Sequence, residues 1–159
     1  MTVSLPTVSS ATTPRIRVVR AGIEDAAAMA DFFRDVGWSS DASAESVRRG
    51  REREARENPG AFQQEAPTFL VLDGERVIGY VSSIPHRVWC GETEVRSYWV
   101  KGLMVREEFR NGPIGYLVLK EAARHLRPAL VSTVHPASCR LFRALGFEEQ
   151  GVLSNHLRV

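Results

Sequence analysis

The sequence predicts a mixed α/β fold, a single domain in which a central, mostly antiparallel twisted sheet is flanked by about four helices. Three observations lead to this prediction. The 159 residues are an ordinary length for one domain. The 43% hydrophobic and 25% charged residues are typical of a globular chain. Apolar spacing changes along the chain in the order strand, two helices, three strands, helix, strand, helix, strand.

The N-terminal part predicts a tail, a strand and two helices. Residues 1–14 are rich in Ser and Thr, so we expect a disordered tail. Residues 16–20 predict a short strand, and residues 24–36 carry apolar side chains at helical spacing. Residues 42–58 are charged helix formers that end at a Pro-Gly stop. Opposite charges four residues apart favour a mostly exposed, solvated helix over a partner surface.

The middle of the chain predicts three antiparallel strands. Residues 68–72 and 76–84 are β-prone runs, and Asp73-Gly74 between them suits a tight hairpin turn. A further strand is expected over about residues 94–105, after a turn at Cys90-Gly91-Glu92.

The C-terminal third predicts two helices and further strands. Residues 113–127 place apolar side chains on one helical face, which we expect to pack against the sheet. Residues 129–134 form a β-rich apolar run, and a short helix should follow it near residue 135. Residues 147–153 and 156–159 are interpreted as one or two final strands.

Composition excludes several functional classes. The 21 basic and 19 acidic residues give a formal charge of +2, so we expect no nucleic-acid partner. Two cysteines and four histidines lack metal-ligand spacing, so we expect neither a disulfide framework nor a metal site. The chain has no secretory signal and no apolar run of membrane-spanning length, which predicts a soluble, cytoplasmic protein without a membrane partner.

The turn before the third helix has the chemistry of a phosphate site. Gly112 and Gly115 would let the backbone approach a ligand closely, and Arg110 adds a positive charge. The first amides of a helix lack acceptors within it and lie at the positive end of its dipole. An ordinary strand-to-helix turn with Pro113 at its first helical position accounts for the same residues.

A second motif, His-Pro-Ala-Ser-Cys-Arg-Leu-Phe-Arg-Ala-Leu-Gly-Phe, runs over residues 135–147. Together with the Arg-Asn-Gly-Pro-Ile-Gly turn at residues 110–115, it resembles the GNAT superfamily of acetyl-CoA-dependent N-acyltransferases. That family has an Arg-x-x-Gly-x-Gly/Ala turn and a Leu-Tyr-x-x-Leu-Gly-Phe helix end. The resemblance covers roughly residues 15–159 and implies one GNAT-like domain there.

The resemblance implies acetyl-CoA as cosubstrate and no metal. In this family the fourth and fifth strands splay apart, and the pantetheine arm lies in the gap. The backbone of Leu103, Met104 and Val105 would then pair with pantetheine like an added strand edge. Pro113 replaces the family's central glycine and removes one N–H donor. The residues expected at the pyrophosphate are Arg110, Asn111, Gly112, Ile114, Gly115 and Tyr116.

Phe142 aligns with the tyrosine that many family members use to protonate the departing coenzyme A thiolate. It would contact the cofactor without donating a proton. Ser138 and Cys139 share its helical face one turn earlier, so either is a candidate acid. Two other interpretations apply to Cys139. It is a thiolate near a helix N-terminus or, as we favour, a small packing residue. His135 is either a proton shuttle or pantetheine contact, or a structural histidine.

The acceptor amine must be neutral when it attacks, which requires a proton acceptor. His86 and Glu94 are candidate bases, and Tyr98 and Trp99 are candidate pocket residues. Lys101 would recognise an acidic acceptor. Each of these five is also explained as an exposed strand residue.

The sequence therefore predicts a single-domain N-acetyltransferase that moves acetyl from acetyl-CoA to a primary amine by direct attack in a ternary complex. A backbone N–H near Met104 would stabilise the oxyanion. The acceptor is a small-molecule or protein amine, and a homodimer is left open. The alternative is a non-catalytic GNAT-like acyl-CoA-binding sensor or interaction module, which Phe142, Pro113 and the lack of an obvious base favour. Phosphoryl transfer is disfavoured because the sequence has no Gly-x-x-x-x-Gly-Lys-Ser/Thr loop.

Overall fold

The computed structural model describes residues 15–63, 66–132 and 135–150. The five strands of the sheet lie side by side in chain order, and helices pack on both of its faces. The predicted mixed α/β fold and the order of its elements up to the last helix are confirmed. The elements are β1 (Ile16–Arg20), α1 (Ala26–Asp35), α2 (Ala44–Glu57), β2 (Thr68–Asp73), β3 (Arg76–Cys90), β4 (Thr93–Val105), a 3₁₀ turn (Glu107–Phe109), α3 (Ile114–His125), β5 (Ala129–Leu130) and α4 (Pro136–Ala144).

The first four strands form an antiparallel meander, and β5 joins β4 in parallel. The predicted hairpin between β2 and β3 is confirmed, with Asp73 paired to Arg76 across a two-residue turn. Gly74 takes the first turn position with φ of +64°, a conformation that glycine adopts without steric cost. β3 is longer than predicted because its second half continues along β4 past the end of β2.

Each face of the sheet covers its own hydrophobic core. The face under α1 and α2 buries Phe32, Leu70 and Tyr80, while the face under α3 and α4 buries Phe69 and Phe142. The domain is thus a three-layer sandwich. Within α2, which is described in full, Val47 is the one buried residue. The prediction of a mostly exposed charged helix is therefore confirmed.

β4 has a bulge just beyond the point where β5 leaves it. Tyr80 pairs with Met104 but Ser82 pairs with Lys101, so β4 holds one extra residue between these two pairs. Gly102 lies in this bulge with φ of +66°. β4 and β5 pair only at residues 98–99 and 129–130 within the described part of the chain. The two strands therefore part just before the bulge, as predicted.

The C-terminal strands differ from the prediction. The predicted strand at residues 129–134 is limited to Ala129–Leu130, because β5 leaves β4 after two residues and a strand needs a partner for its hydrogen bonds. Residues 133 and 134 lie outside the described residues. Residues 147–150 form no strand. The predicted tail at 1–14 and the predicted strands beyond residue 150 also lie outside the described part.

Candidate functional site

The turn before α3 leaves a group of amides at the helix start. The amides of Arg110 and Gly112 donate to carbonyls of the 3₁₀ turn, at 3.2 and 3.1 Å. The first bond of α3 runs from the Leu117 amide to the Pro113 carbonyl at 2.9 Å. The amides of residues 114–116 precede it, and helix geometry gives such amides no acceptor within the helix. They are the amides available to an anion at this end.

The two glycines of this turn have different surroundings. Gly115 is buried, and a Cβ there would lie 3.3 Å from Leu141 Cδ1 and 3.6 Å from Val105 Cγ2. Its small size therefore serves the packing of α3 against α4 and β4. Gly112 is exposed, and the nearest atom to its Cβ position is the Phe109 carbonyl oxygen at 3.4 Å. Open space for a ligand lies at Gly112 rather than at Gly115.

Gly79 positions the start of α3, although it was not among the residues predicted from the sequence. A Cβ at Gly79 would lie 2.7 Å from Ile114 Cγ2 and 3.1 Å from Val71 Cγ2. The first residue of α3 can therefore sit directly on β3. A glycine inside a β-prone run is a signal of such close approach and could have identified it.

The end of β4 presents backbone groups away from β3. The Arg106 amide donates to the Ile78 carbonyl at 3.0 Å, so alternation along the strand turns the Val105 groups to the other side. Arg110 Nε reaches the Val105 carbonyl from that side, at 3.2 Å. Met104 is turned toward β3, where it pairs with Tyr80. Because β5 no longer pairs with β4 at this point, the Val105 amide faces the gap between the two strands.

The candidate residues on α4 have structural contacts. His135 is the N-cap, and its Nδ1 accepts a helix amide N–H at 3.2 Å. Cys139 Sγ donates to the His135 carbonyl at 3.7 Å, and Ser138 is half-buried beside it. Phe142 is 6% exposed and packs edge-to-face on Phe147 within the core. This capping contact supports the structural interpretation of His135.

Three of the five acceptor candidates share the sheet face under α2. Cross-strand pairs lie on one face, and the register places Lys101, Trp99 and His86 together there. The His86 and Trp99 rings meet edge-to-face with centroids 6.4 Å apart.

The other two candidates lie elsewhere. Tyr98 is on the opposite sheet face, where its hydroxyl donates to Gln63 Oε1 at 3.2 Å. Glu94 is near the tip of the β3–β4 hairpin, with Oε2 3.7 Å from Arg87 Nη1. The structure therefore does not bring the five predicted acceptor residues to one place.

A cavity of about 410 Å³ lies between α1, α2 and the sheet. It reaches the β4 bulge, since Gly102 and Met104 contribute to its wall. Lys101 is the one predicted acceptor residue that lines it. The sequence interpretation missed its other charged and aromatic residues, because the charges of α2 matched a solvated helix and the aromatic side chains come from other parts of the chain. These residues are Phe33, Trp38, Arg51, Glu54 and Tyr80.

Charged groups in this cavity are paired or tied to the backbone. Lys101 Nζ donates to Glu54 Oε1, and both side chains remain about one third exposed, at 34% and 37%. Arg51 donates to the carbonyls of residues 21 and 22, which fastens α2 to the loop after β1. Burial raises the pKa of Tyr80, while a hydrogen bond with Ser82 lowers it and the charge of Glu54 raises it further. Tyr80 therefore keeps its proton.

A second cavity, also of about 410 Å³, is polar and lies at the end of α1. Arg106 is buried in its wall, donates to the Val77 carbonyl at 2.7 Å and pairs with Asp35. Its guanidinium carbon lies 5.6 Å from the centre of the Phe32 ring. The hydrogen bond from Arg106 holds the pKa of Asp35 below its usual value. These contacts fasten α1 to the sheet.

Two further findings concern the described residues. No group of three or more His, Cys, Asp or Glu among them is arranged to hold a metal ion. None of their helices combines the length and the apolar character that a membrane crossing requires.

Several solved structures with a similar fold are described as acetyltransferases. One is a probable acetyltransferase, 21% identical, with a TM-score of 0.65 over 90% of this chain and 97% of that chain. Another is glucosamine-6-phosphate N-acetyltransferase from Arabidopsis thaliana, 11% identical, with a TM-score of 0.67 over 89% and 97%. A third is the aminoglycoside antibiotic 6′-N-acetyltransferase AAC(6′)-Ih from Acinetobacter baumannii, 12% identical, with a TM-score of 0.62 over 91% and 98%. At these identities the likeness establishes the fold.

A family model establishes the relationship. No curated protein sequence matches the chain significantly. The model described as the acetyltransferase (GNAT) family matches residues 29–147, a range that includes α2, strands β2 to β5, the turn before α3, and both α3 and α4. Because this match covers most of the chain and the fold agrees with it, the protein belongs to the GNAT family of acetyltransferases.

Proposed function

We propose that this protein transfers an acetyl group from acetyl-CoA to a primary amine within a ternary complex. The observation that carries the proposal is the arrangement around the β4 bulge. On one side β4 turns the Val105 amide to the gap beside β5, next to the first amides of α3. On the other side the cavity under α2 reaches the same residues. A thioester in the gap and an amine in the cavity would meet at this segment.

The residues of the gap fit acetyl-CoA. The amides of residues 114–116 and the guanidinium of Arg110 would hold the pyrophosphate, and the exposed position of Gly112 leaves space above them. The backbone of Leu103 and Val105 would bind the pantetheine amides. Pro113 is the N-cap, so its missing N–H lies before these three amides and leaves them in place.

The transfer needs one bond formed, one broken and one proton moved. The neutral amine nitrogen attacks the thioester carbonyl carbon, a C–N bond forms, and the C–S bond breaks. The nitrogen loses a proton and the released thiolate gains one. An N–H of the β4 segment would stabilise the oxyanion. Phe142 cannot protonate the thiolate, so half-buried Ser138 and Cys139 are the candidates on α4.

A non-catalytic acyl-CoA-binding module is the second candidate function. The buried position of Phe142 favours it, because the residue at the family's tyrosine position is part of the core here. Such a protein would bind acetyl-CoA but would not transfer its acetyl group to an amine.

An acceptor screen tests the proposal and separates the two candidates. The purified protein is incubated with acetyl-CoA and a panel of primary amines, and thiol release is compared with acetylated amine measured by mass spectrometry. We expect both products in equal amounts and only when protein and amine are present. Saturable acetyl-CoA binding without thiol release would support the second function instead, and absence of both would contradict each.

A further inference from the structure

We propose that the cavity under α2 selects a monoamine with an apolar, aromatic-sized body, and that Glu54 binds its ammonium group. The proposal rests on the proposed acetyl transfer and adds the class of acceptor.

The cavity has the size and position of an acceptor site. Its volume of about 410 Å³ lies within the roughly 300–1,000 Å³ that small-molecule pockets occupy. Gly102 and Met104 form its wall at the β4 bulge. Lys101 directly precedes this bulge and contacts Glu54 on α2. The Glu54 carboxylate therefore lies near the bulge of β4. An ammonium held by Glu54 would therefore lie close to the point where the gap and the cavity meet. It would pass one proton to water in the open cavity before the neutral nitrogen attacks.

Part of the cavity wall is apolar, and this part includes an exposed aromatic side chain. Phe33 and Met104 form part of it, and Trp38 lines it while remaining 66% exposed. A large apolar side chain that stays exposed beside a cavity offers surface for an apolar ligand. An acceptor with an aromatic body would cover the Trp38 ring and lose its own hydration.

Glu54 retains capacity for a second cation. A carboxylate accepts about four hydrogen bonds, and Lys101 uses one oxygen of Glu54. The side chain is 37% exposed, so the remaining positions are accessible. Glu54 is the sole acidic residue in the described lining, which gives the cavity one place for one ammonium group.

The remaining charges disfavour polycations. The described lining holds two cations, Arg51 and Lys101, against the single anion Glu54. A second ammonium on the same ligand would approach Lys101 or Arg51 and be repelled. A polycationic aminoglycoside would therefore be a poor acceptor for this cavity.

The test compares two acceptors with the full chain and acetyl-CoA. The probes are 2-phenylethylamine, an aromatic monoamine, and sisomicin, a polycationic aminoglycoside. We expect kcat/KM for 2-phenylethylamine to exceed that for sisomicin by about tenfold or more, the ratio that one adverse charge contact of about 1.4 kcal/mol produces. Equal values, or a preference for sisomicin, would overturn the proposal.

Variants of the cavity separate binding from general damage. Glu54→Gln should raise KM for 2-phenylethylamine about tenfold with a smaller change in kcat, and Glu54→Asp should restore part of the loss. Trp38→Ala should also raise KM. Lys101→Gln should increase the relative kcat/KM for sisomicin, because it removes the repelling charge. A purely structural role of the Glu54–Lys101 pair would not change this ratio.

The matched control is Glu52→Gln, on the same helix outside the described cavity lining. It should leave both kinetic constants unchanged, and acetyl-CoA affinity measured by calorimetry should be equal in all variants. If Glu54→Gln behaves like Glu52→Gln, the proposal is wrong while acetyl transfer stands. If acetyl-CoA binds and no amine is acetylated, acetyl transfer itself fails and this proposal fails with it.

Discussion

Gly112 is the residue at which cofactor binding can be changed with least effect on packing. It is exposed, and its Cβ position is in ordinary contact with one carbonyl oxygen of the 3₁₀ turn. Gly115 offers no such test, because Leu141 and Val105 fill the space beside it. A larger residue at Gly115 would disturb the contact between α3 and α4, so its effect on ligand binding could not be separated from its effect on the fold.

Gly112→Asp should weaken acetyl-CoA binding about tenfold or more. The new carboxylate would stand beside the first amides of α3 and repel the pyrophosphate. Gly112→Asn has nearly the same shape without the charge and should weaken binding less. Calorimetric Kd values and Tm measure the two effects separately. Unchanged Kd in Gly112→Asp would show that phosphate does not bind at this turn.

At the scale of residues, local spacing identified Gly112 and Lys101 but not the partners that define their roles. Leu141 is distant in sequence from Gly115, and Glu54 is 47 residues from Lys101. Such contacts depend on how α2 and α4 pack against the sheet. A glycine or a charge in a motif therefore predicts a position, while its function depends on neighbours that only the fold provides.

The helix α4 provides a test at the scale of elements. His135 caps it through Nδ1, and asparagine is among the best N-cap residues. His135→Asn should keep Tm and kcat/KM near the original values, whereas His135→Ala should cost about 1 kcal/mol of stability. Denaturation and thiol-release assays measure these outcomes. A stable His135→Asn protein that lost most of its turnover would instead assign the imidazole a proton-transfer role.

Elements with local signals were predicted more accurately than those set by strand pairing. The β2–β3 hairpin followed from the glycine in its turn, and α1, α2 and α3 followed from apolar spacing and stop signals. The length of β5 and the bulge at Gly102 did not follow from local patterns. Both depend on register between strands, which apolar alternation alone leaves open.

At the scale of the whole molecule, the sheet separates two regions that meet at the β4 bulge. α3 and α4 lie on one face with the gap, while α1 and α2 cover the cavity on the other. The order of the elements and the resemblance to one family together predicted a sheet flanked by helices. It could not predict the acceptor cavity, because that cavity is formed by side chains from four separate elements.

A calorimetric titration with acetyl-CoA tests the central claim most directly, with free coenzyme A and ATP as comparison ligands. The account predicts saturable binding of one acetyl-CoA per chain, tighter than ATP and weakened by Gly112→Asp. The absence of saturable heat with acetyl-CoA, or equal binding of ATP, would contradict it.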